Sequence, residues 1–152
     1  MTADGPPSGP VLISYDGTAL ARLAITRSGE LLADRDALVV CIWQPYDVGF
    51  TPADGAPFDA KAPQEVRGAA ERTAAAGAEL ARAAGFTSAG SVAMESSPIW
   101  KGIVDTADAH DAAVIVLGSR GHAGLVGRFT GSVARAVAEH CQRTALIVHG
   151  RV

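Results

Sequence analysis

Short apolar runs alternate with longer stretches of helical periodicity along almost the whole chain. Val11–Tyr15 (VLISY) is a β-prone run that predicts a buried strand, and Asp16-Gly17-Thr18 predicts a turn with Thr18 as a helix N-cap. Leu20, Leu23, Ala24, Ser28, Leu31 and Leu32 then recur at helical spacing, which predicts a helix to about Ala33. Ala37–Trp43 (ALVVCIW) is apolar without alternation, as suits a strand covered on both faces. Gln44–Pro63 holds four prolines and two glycines and predicts a long loop. Gln64–Ala84 is helical in period, with Gly85 just past its end and Gly77 lowering its propensity. Ser91–Met94 is a weaker third strand, and Pro98 fits the first turn of a helix reaching about His110. Ala113–Leu117 (AVIVL) predicts the fourth strand and Ala145–His149 (ALIVH) the fifth. Between them Ser132–Cys141 forms an amphipathic helix with Val133, Ala136, Val137 and His140 on one side.

The resulting order, β-α-β-α-β-α-β-α-β, predicts an α/β sandwich with a parallel sheet and right-handed crossovers. A ligand of such a sheet sits at the carboxyl ends of the strands, where the strand order reverses. No internal duplication is present.

Composition narrows the classes. At 152 residues the chain is one domain long, since roughly 100–200 residues make one. Residues 1–10 (MTADGPPSGP) read as a flexible tail ahead of a single domain over 11–152. The net charge of −3, the absence of a basic run and only eight aromatic residues argue against a nucleic-acid binder. The clean apolar runs, Ala112–Leu117 among them, fall far short of the ~20 residues of a membrane helix. No secretory leader is evident at the N-terminus. Cys41 and Cys141 are widely spaced and read as two buried free thiols. These features together predict a cytoplasmic protein without a membrane or nucleic-acid partner.

Five of the 17 glycines fall within fourteen residues: Gly118, Gly121, Gly124, Gly127 and Gly131. The cluster begins where a buried strand ends and finishes where a helix begins. A helix start presents unpaired N–H groups and a partial positive charge, and glycines let a backbone approach an anion closely. Ser132 adds a hydroxyl, and Arg120 and Arg128 add charge. A glycine-tolerant surface loop is the plainer reading, but the strand–loop–helix context favours a phosphate site. GxxxxGK[ST] is absent, because neither of the chain's two lysines (Lys61 and Lys101) lies in the segment. GxGxxG, GxSxG and a kinase-like set are absent as well.

The spacing G118-x2-G121-x9-G131-S132 resembles the nucleotide-binding signature of the universal stress protein family. The strand with its Asp16-Gly17-Thr18 turn, the segment Val114–Gly121 (VIVLGSRG), and GRFTGSVARAVAEHC followed by ALIV resemble that family's first strand, fourth strand with its loop, and last helix and strand. The resemblance covers nearly everything from Val11 to Val148, with the Gln44–Pro63 loop as the variable part. It implies an open five-stranded parallel sheet of order 3-2-1-4-5 with helices on both faces, a Rossmann-like fold of the adenine nucleotide alpha hydrolase type. It also implies an ATP-binding, homodimeric regulatory protein of the stress response, with the dimer formed through the last strand, Ala145–Val148. Carried over position by position, Leu117, Gly118, Arg120 and Gly121 lie along the ribose and phosphates. Gly131, Ser132 and Val133 offer helix-start contacts. Ser14, Tyr15 and Asp16 lie near the adenosine or an associated Mg or Mn, and Val40 meets adenine through its backbone. Cyclic AMP is the alternative ligand, because the adenosine contacts would be shared.

Ala113, Ser96, Thr130 and Thr144 stand where that family commonly has Asp, Gly, Leu and Pro. None of them removes the glycine signature, although Thr130 directly precedes Gly131. Asp16 reads either as a ligand contact or as a turn residue, and its place at the switch point favours the contact. His122 and Arg128 are further loop candidates for phosphate. His110, His140 and His149 lack metal-ligand spacing, and Trp43 and Trp100 are expected at the sheet edges. No general base or paired carboxylates accompany the loop, so binding is expected, with at most slow ATP hydrolysis or autophosphorylation. A weak ATPase on the same fold and an apo dimerisation module with a vestigial site are the other readings.

Overall fold

A computed structural model describes residues 7–45, 63–120 and 131–150. The strands are β1 (Val11–Ser14), β2 (Asp36–Trp43), β3 (Ser88–Glu95), β4 (Val114–Gly118) and β5 (Thr144–Val148). The helices are α1 (Ala19–Leu32), α2 (Pro63–Ala83), α3 (Ile99–Ala109) and α4 (Ser132–His140). All pairings are parallel and the sheet order is β3-β2-β1-β4-β5, as the resemblance implies. β3 runs from Ser88, longer than the Ser91–Met94 expected, because register with β2 continues from Asp36↔Ser88 to Trp43↔Glu95. Its small residues carry little apolar signal, so pairing rather than patterning sets its length. Pro98 is the N-cap of α3 rather than a residue of its first turn.

Continuous apolar strands are explained by cover on both faces. On one side Val11, Ile13 and Val39 pack with Ala24 and Ile25 of α1 and Ala78 and Ala81 of α2. On the other, Leu12, Val40 and Ile115 pack with Ile103 and Ala107 of α3 and Ala134 and Val137 of α4. Trp43 lies in neither sheet edge. It is buried on interior strand β2 with Cys41, beneath Val66, Ala69 and Ala70 of α2. Trp100 of α3 stacks on His140 of α4, ring centroids 4.2 Å apart, so His140 is exposed and joins the two helices instead of lining the core. Cys41 is buried as expected, whereas Cys141 is only partly so, its thiol donating to the carbonyl of Arg143 at 3.3 Å.

The described end of the expected tail is tied down. Arg35 Nη1 donates to Pro7 O at 3.0 Å and Ala113 N–H to Pro10 O at 2.9 Å. Each end of the sheet therefore has its own connections, and the carboxyl end is where the candidate residues gather.

Candidate functional site

Strand order reverses between β1 and β4, which lie side by side at the centre of the sheet. The chain leaves β1 toward β2 and leaves β4 toward β5, so the two connections diverge and open a crevice at the carboxyl ends.

On the β1 side the turn is built by Asp16. Its Oδ1 accepts the Thr18 N–H at 3.0 Å and the Thr18 hydroxyl at 2.6 Å. Gly17 sits at φ 83°, a backbone region that side-chain-bearing residues rarely adopt. Thr18 Oγ1 in turn accepts the Ala21 N–H at 3.2 Å and caps α1. The turn role of Asp16 is thus visible in the geometry, and it fixes the half-buried carboxylate at the switch point. Ser14 is half-buried at the end of β1.

Tyr15 turns its side chain away from the crevice, leaving only its backbone there. Its side chain is 2% exposed in the α1/α2 core, and burial pushes its phenol above the usual tyrosine range. The Arg22 charge opposes burial and favours the phenolate, while the weaker influences of Asp16 and Cys41 push the same way as burial. The Tyr15 N–H donates to Val40 O at 2.9 Å. Val40 is therefore a ladder residue: its side chain is wholly buried and its carbonyl already holds β1.

Among the described residues, the edge past β1 without a neighbouring strand belongs to Ile42, a position that the apolar run alone does not single out. Val40 O faces β1, and Trp43 O faces β3, where it accepts the Ser96 N–H at 3.1 Å. Alternation along the strand then turns the N–H and C=O of Ile42 toward β1. Ser14 pairs with Val40, so Ile42 stands two positions further on, opposite Asp16, which has already left the strand for its turn.

On the β4 side Leu117 is buried against the α3/α4 face, and Gly118 and Arg120 are half-buried at the strand end. Ser119, between them, is a second residue the sequence reading passed over. Its N–H donates to Val148 O at 2.9 Å, and its carbonyl accepts the Gly131 N–H at 2.5 Å. These two bonds hang the start of α4 from the ends of β4 and β5. Gly131 is the N-cap of α4 and has no side chain to bond the first-turn amides. Ser132 is exposed and Val133 half-buried there. By contrast with α1, whose first turn has the Thr18 hydroxyl, α4 opens with its amide groups unserved by its own cap residue. That arrangement can hold an anion. Gly121, His122 and Arg128 lie outside the described residues.

Among the described residues, no group of three His, Cys, Asp or Glu side chains is placed to hold a metal ion, and no helix is long and apolar enough to cross a membrane.

The model of the universal stress protein family matches residues 8–149. A universal stress protein solved in complex with cAMP is 25% identical, with a TM-score of 0.67 over 95% of this chain and 99% of that one. The universal stress protein from Archaeoglobus fulgidus in complex with dAMP is 20% identical, with a TM-score of 0.67 over 93% of this chain and 98% of that one. A member of the same family from Burkholderia pseudomallei is 18% identical, with a TM-score of 0.66 over 95% and 98%. No curated protein matches the chain.

Proposed function

The chain belongs to the universal stress protein family, and we propose that it is a nucleotide-dependent regulatory module that binds ATP as a homodimer. The observation that carries the reading is the start of α4. Gly131 brings no side chain to cap the first-turn amides, and Ser119 holds that helix end at the switch point of the sheet. Phosphates bind there, on the amides of Ser132 and Val133 and the Ser132 hydroxyl, with Gly118, Arg120, Gly121 and the loop residues His122 and Arg128 beside them. Leu117 and Ser14 border the ribose through their backbones.

Adenine is read by Ile42 rather than by Val40. An N–H and a C=O on one strand edge match the acceptor N1 and the 6-amino donor of adenine. Guanine presents the opposite pattern, a donor at N1 and an acceptor at position 6. The Ile42 pair therefore supports selection for adenine.

Asp16 sits where a metal on the triphosphate would pass. Mg or Mn would arrive with the nucleotide, and Asp16 would reach it through water. The module works in the cytoplasm, in line with its two free thiols. Dimerisation uses β5, whose Leu146 and Ile147 are only half-buried.

Calorimetric titration with ATP, with and without Mg, tests the reading. The expected result is saturable binding, with GTP and ITP at least about tenfold weaker, or ~1.4 kcal/mol. No heat and no retained nucleotide at millimolar ATP would end it. Cyclic AMP is the second reading, favoured by the cAMP complex of the 25% identical structure. Competition separates the two: displacement of ATP by cyclic AMP at lower concentration than the reverse would make cyclic AMP the ligand.

A further inference from the structure

The sheet has two outer strands, and the fold treats their edges differently. In β3 the Ser96 N–H, just past the strand, bonds Trp43 O, so even-numbered positions face β2 and odd-numbered ones face outward. Ala89 is therefore an outward position, and its carbonyl has no neighbouring strand among the described residues. Arg82, in the last turn of α2, fills the place. Its Nη2 donates to Ala89 O at 2.6 Å, while Nη1 pairs with Glu79 one turn back.

At the opposite edge the parity is set by Ser119 N–H bonding Val148 O, so Ala145, Ile147 and His149 face outward. No described side chain is seated on those three. β3 exposes Ser88, Gly90, Ser91 and Glu95 along with the apolar Met94, whereas Ala145, Leu146 and Ile147 of β5 are half-buried and all apolar. A charged group laid on an edge carbonyl is one way a sheet avoids taking another strand, because an incoming chain must displace both the side chain and its hydrogen bond.

We propose that Arg82 is an edge stop that bars β3 from pairing with a second copy of this chain, confining self-association to β5. Confinement matters because pairing at both edges has no closure: each copy would leave an edge for the next, and chains would grow. The confinement to β5 rests on the dimer reading above, whereas the stop on β3 rests on the Arg82–Ala89 bond alone.

Sedimentation velocity of the whole chain over a hundredfold concentration range tests it, on wild type, Arg82→Ala and Arg82→Gln. Glutamine keeps helix propensity but shortens the reach. Wild type is expected to stop at one closed size, and both variants to grow past it as concentration rises. Ser91→Pro, added to either variant, removes an outward-facing N–H from β3 without touching its β2 ladder, and is expected to restore the wild-type size. Variants that match wild type at every concentration overturn the proposal, as does growth that Ser91→Pro leaves unchanged. A monomeric wild type with dimeric Arg82 variants, reversed by Ser91→Pro, would support the edge stop while refuting the β5 dimer.

Discussion

The Gly131 N–H meets the Ser119 carbonyl at 2.5 Å, and this bond fixes where α4 begins relative to the end of β4. A methyl group at Gly131 would lie 3.0 Å from that same carbonyl and 3.3 Å from the Arg120 Cα. Both neighbours are backbone, so the helix start itself must give way. Gly131→Ala is expected to weaken ATP binding about tenfold, ~1.4 kcal/mol, while unfolding shifts by only a few degrees. Ser132→Ala, which keeps the amide and loses the hydroxyl, is expected to cost less. Titration calorimetry beside thermal melts checks both, and equal losses for the two variants would contradict a backbone-built site.

Gly77 and Tyr15 form a second close pair. A Cβ on Gly77, within α2, would fall 2.6 Å from Tyr15 Cδ1 and 2.8 Å from Val39 Cγ1. Helix propensity alone favours Gly77→Ala by about 1 kcal/mol. Overpacking against a buried ring and an interior strand costs about 1–3 kcal/mol. The expected outcome is net destabilisation, measured as a lower urea midpoint with an unchanged slope. A stabilised variant would show that α2 can move off the sheet without penalty.

The fold was legible because its strands are apolar on both faces and its turns carry Asp-Gly-Thr and glycine punctuation. Thr18, Gly85 and Ser132 all mark element ends where the sequence places them. The candidate anion site was legible for the same reason: a strand end, a glycine cluster and a helix start are local signals. What patterning could not supply is register. Val40 and Ile42 look alike in the run ALVVCIW, and only the pairing of Ser14 with Val40 shows which one has an open edge. Ser119 is similar, since its two backbone bonds reach residues 29 and 12 positions away, Val148 and Gly131. Tyr15 stands between Ser14 and Asp16 in the sequence, yet strand alternation turns its ring into the α1/α2 core. The stacking of Trp100 on His140 is equally a matter of how α3 lies beside α4.

Tyr15 carries a pH consequence. Burial raises its phenol above 10.0, so the folded state holds the proton longer than the unfolded chain does. The stabilisation is fully present below pH about 10 and is lost as pH rises from there through the folded value. The chain has two tyrosines, so a Tyr46→Phe variant leaves Tyr15 as the sole phenol reporting. Absorbance at the phenolate band is expected to rise only above the ordinary range, together with loss of helical circular dichroism. Ionisation near pH 10 with the fold intact would place the hydroxyl in water instead.

Arg143 closes the other end of the molecule. It lies just ahead of β5 and donates from Nε to Asp108 Oδ1 at 3.0 Å, and from Nη1 to Asp111 Oδ1 at 3.0 Å and Ala112 O at 2.9 Å. Its side chain is 23% exposed, while Asp108 and Asp111 are 59% and 91% exposed. The two ion pairs are therefore screened and worth little each, and the bond to the Ala112 carbonyl is the larger part. Arg143→Ala is expected to cost about 1–2 kcal/mol, and Arg143→Lys to recover less than half, because an ammonium cannot fork between Nε- and Nη-type contacts. Salt distinguishes the components: at about 1 M ionic strength the ion-pair share should vanish, leaving most of the difference between wild type and Arg143→Ala in place. Denaturant titrations at low and high salt read this directly. A difference that disappears in salt would mean that the carboxylates, and not the Ala112 carbonyl, hold Arg143 in place.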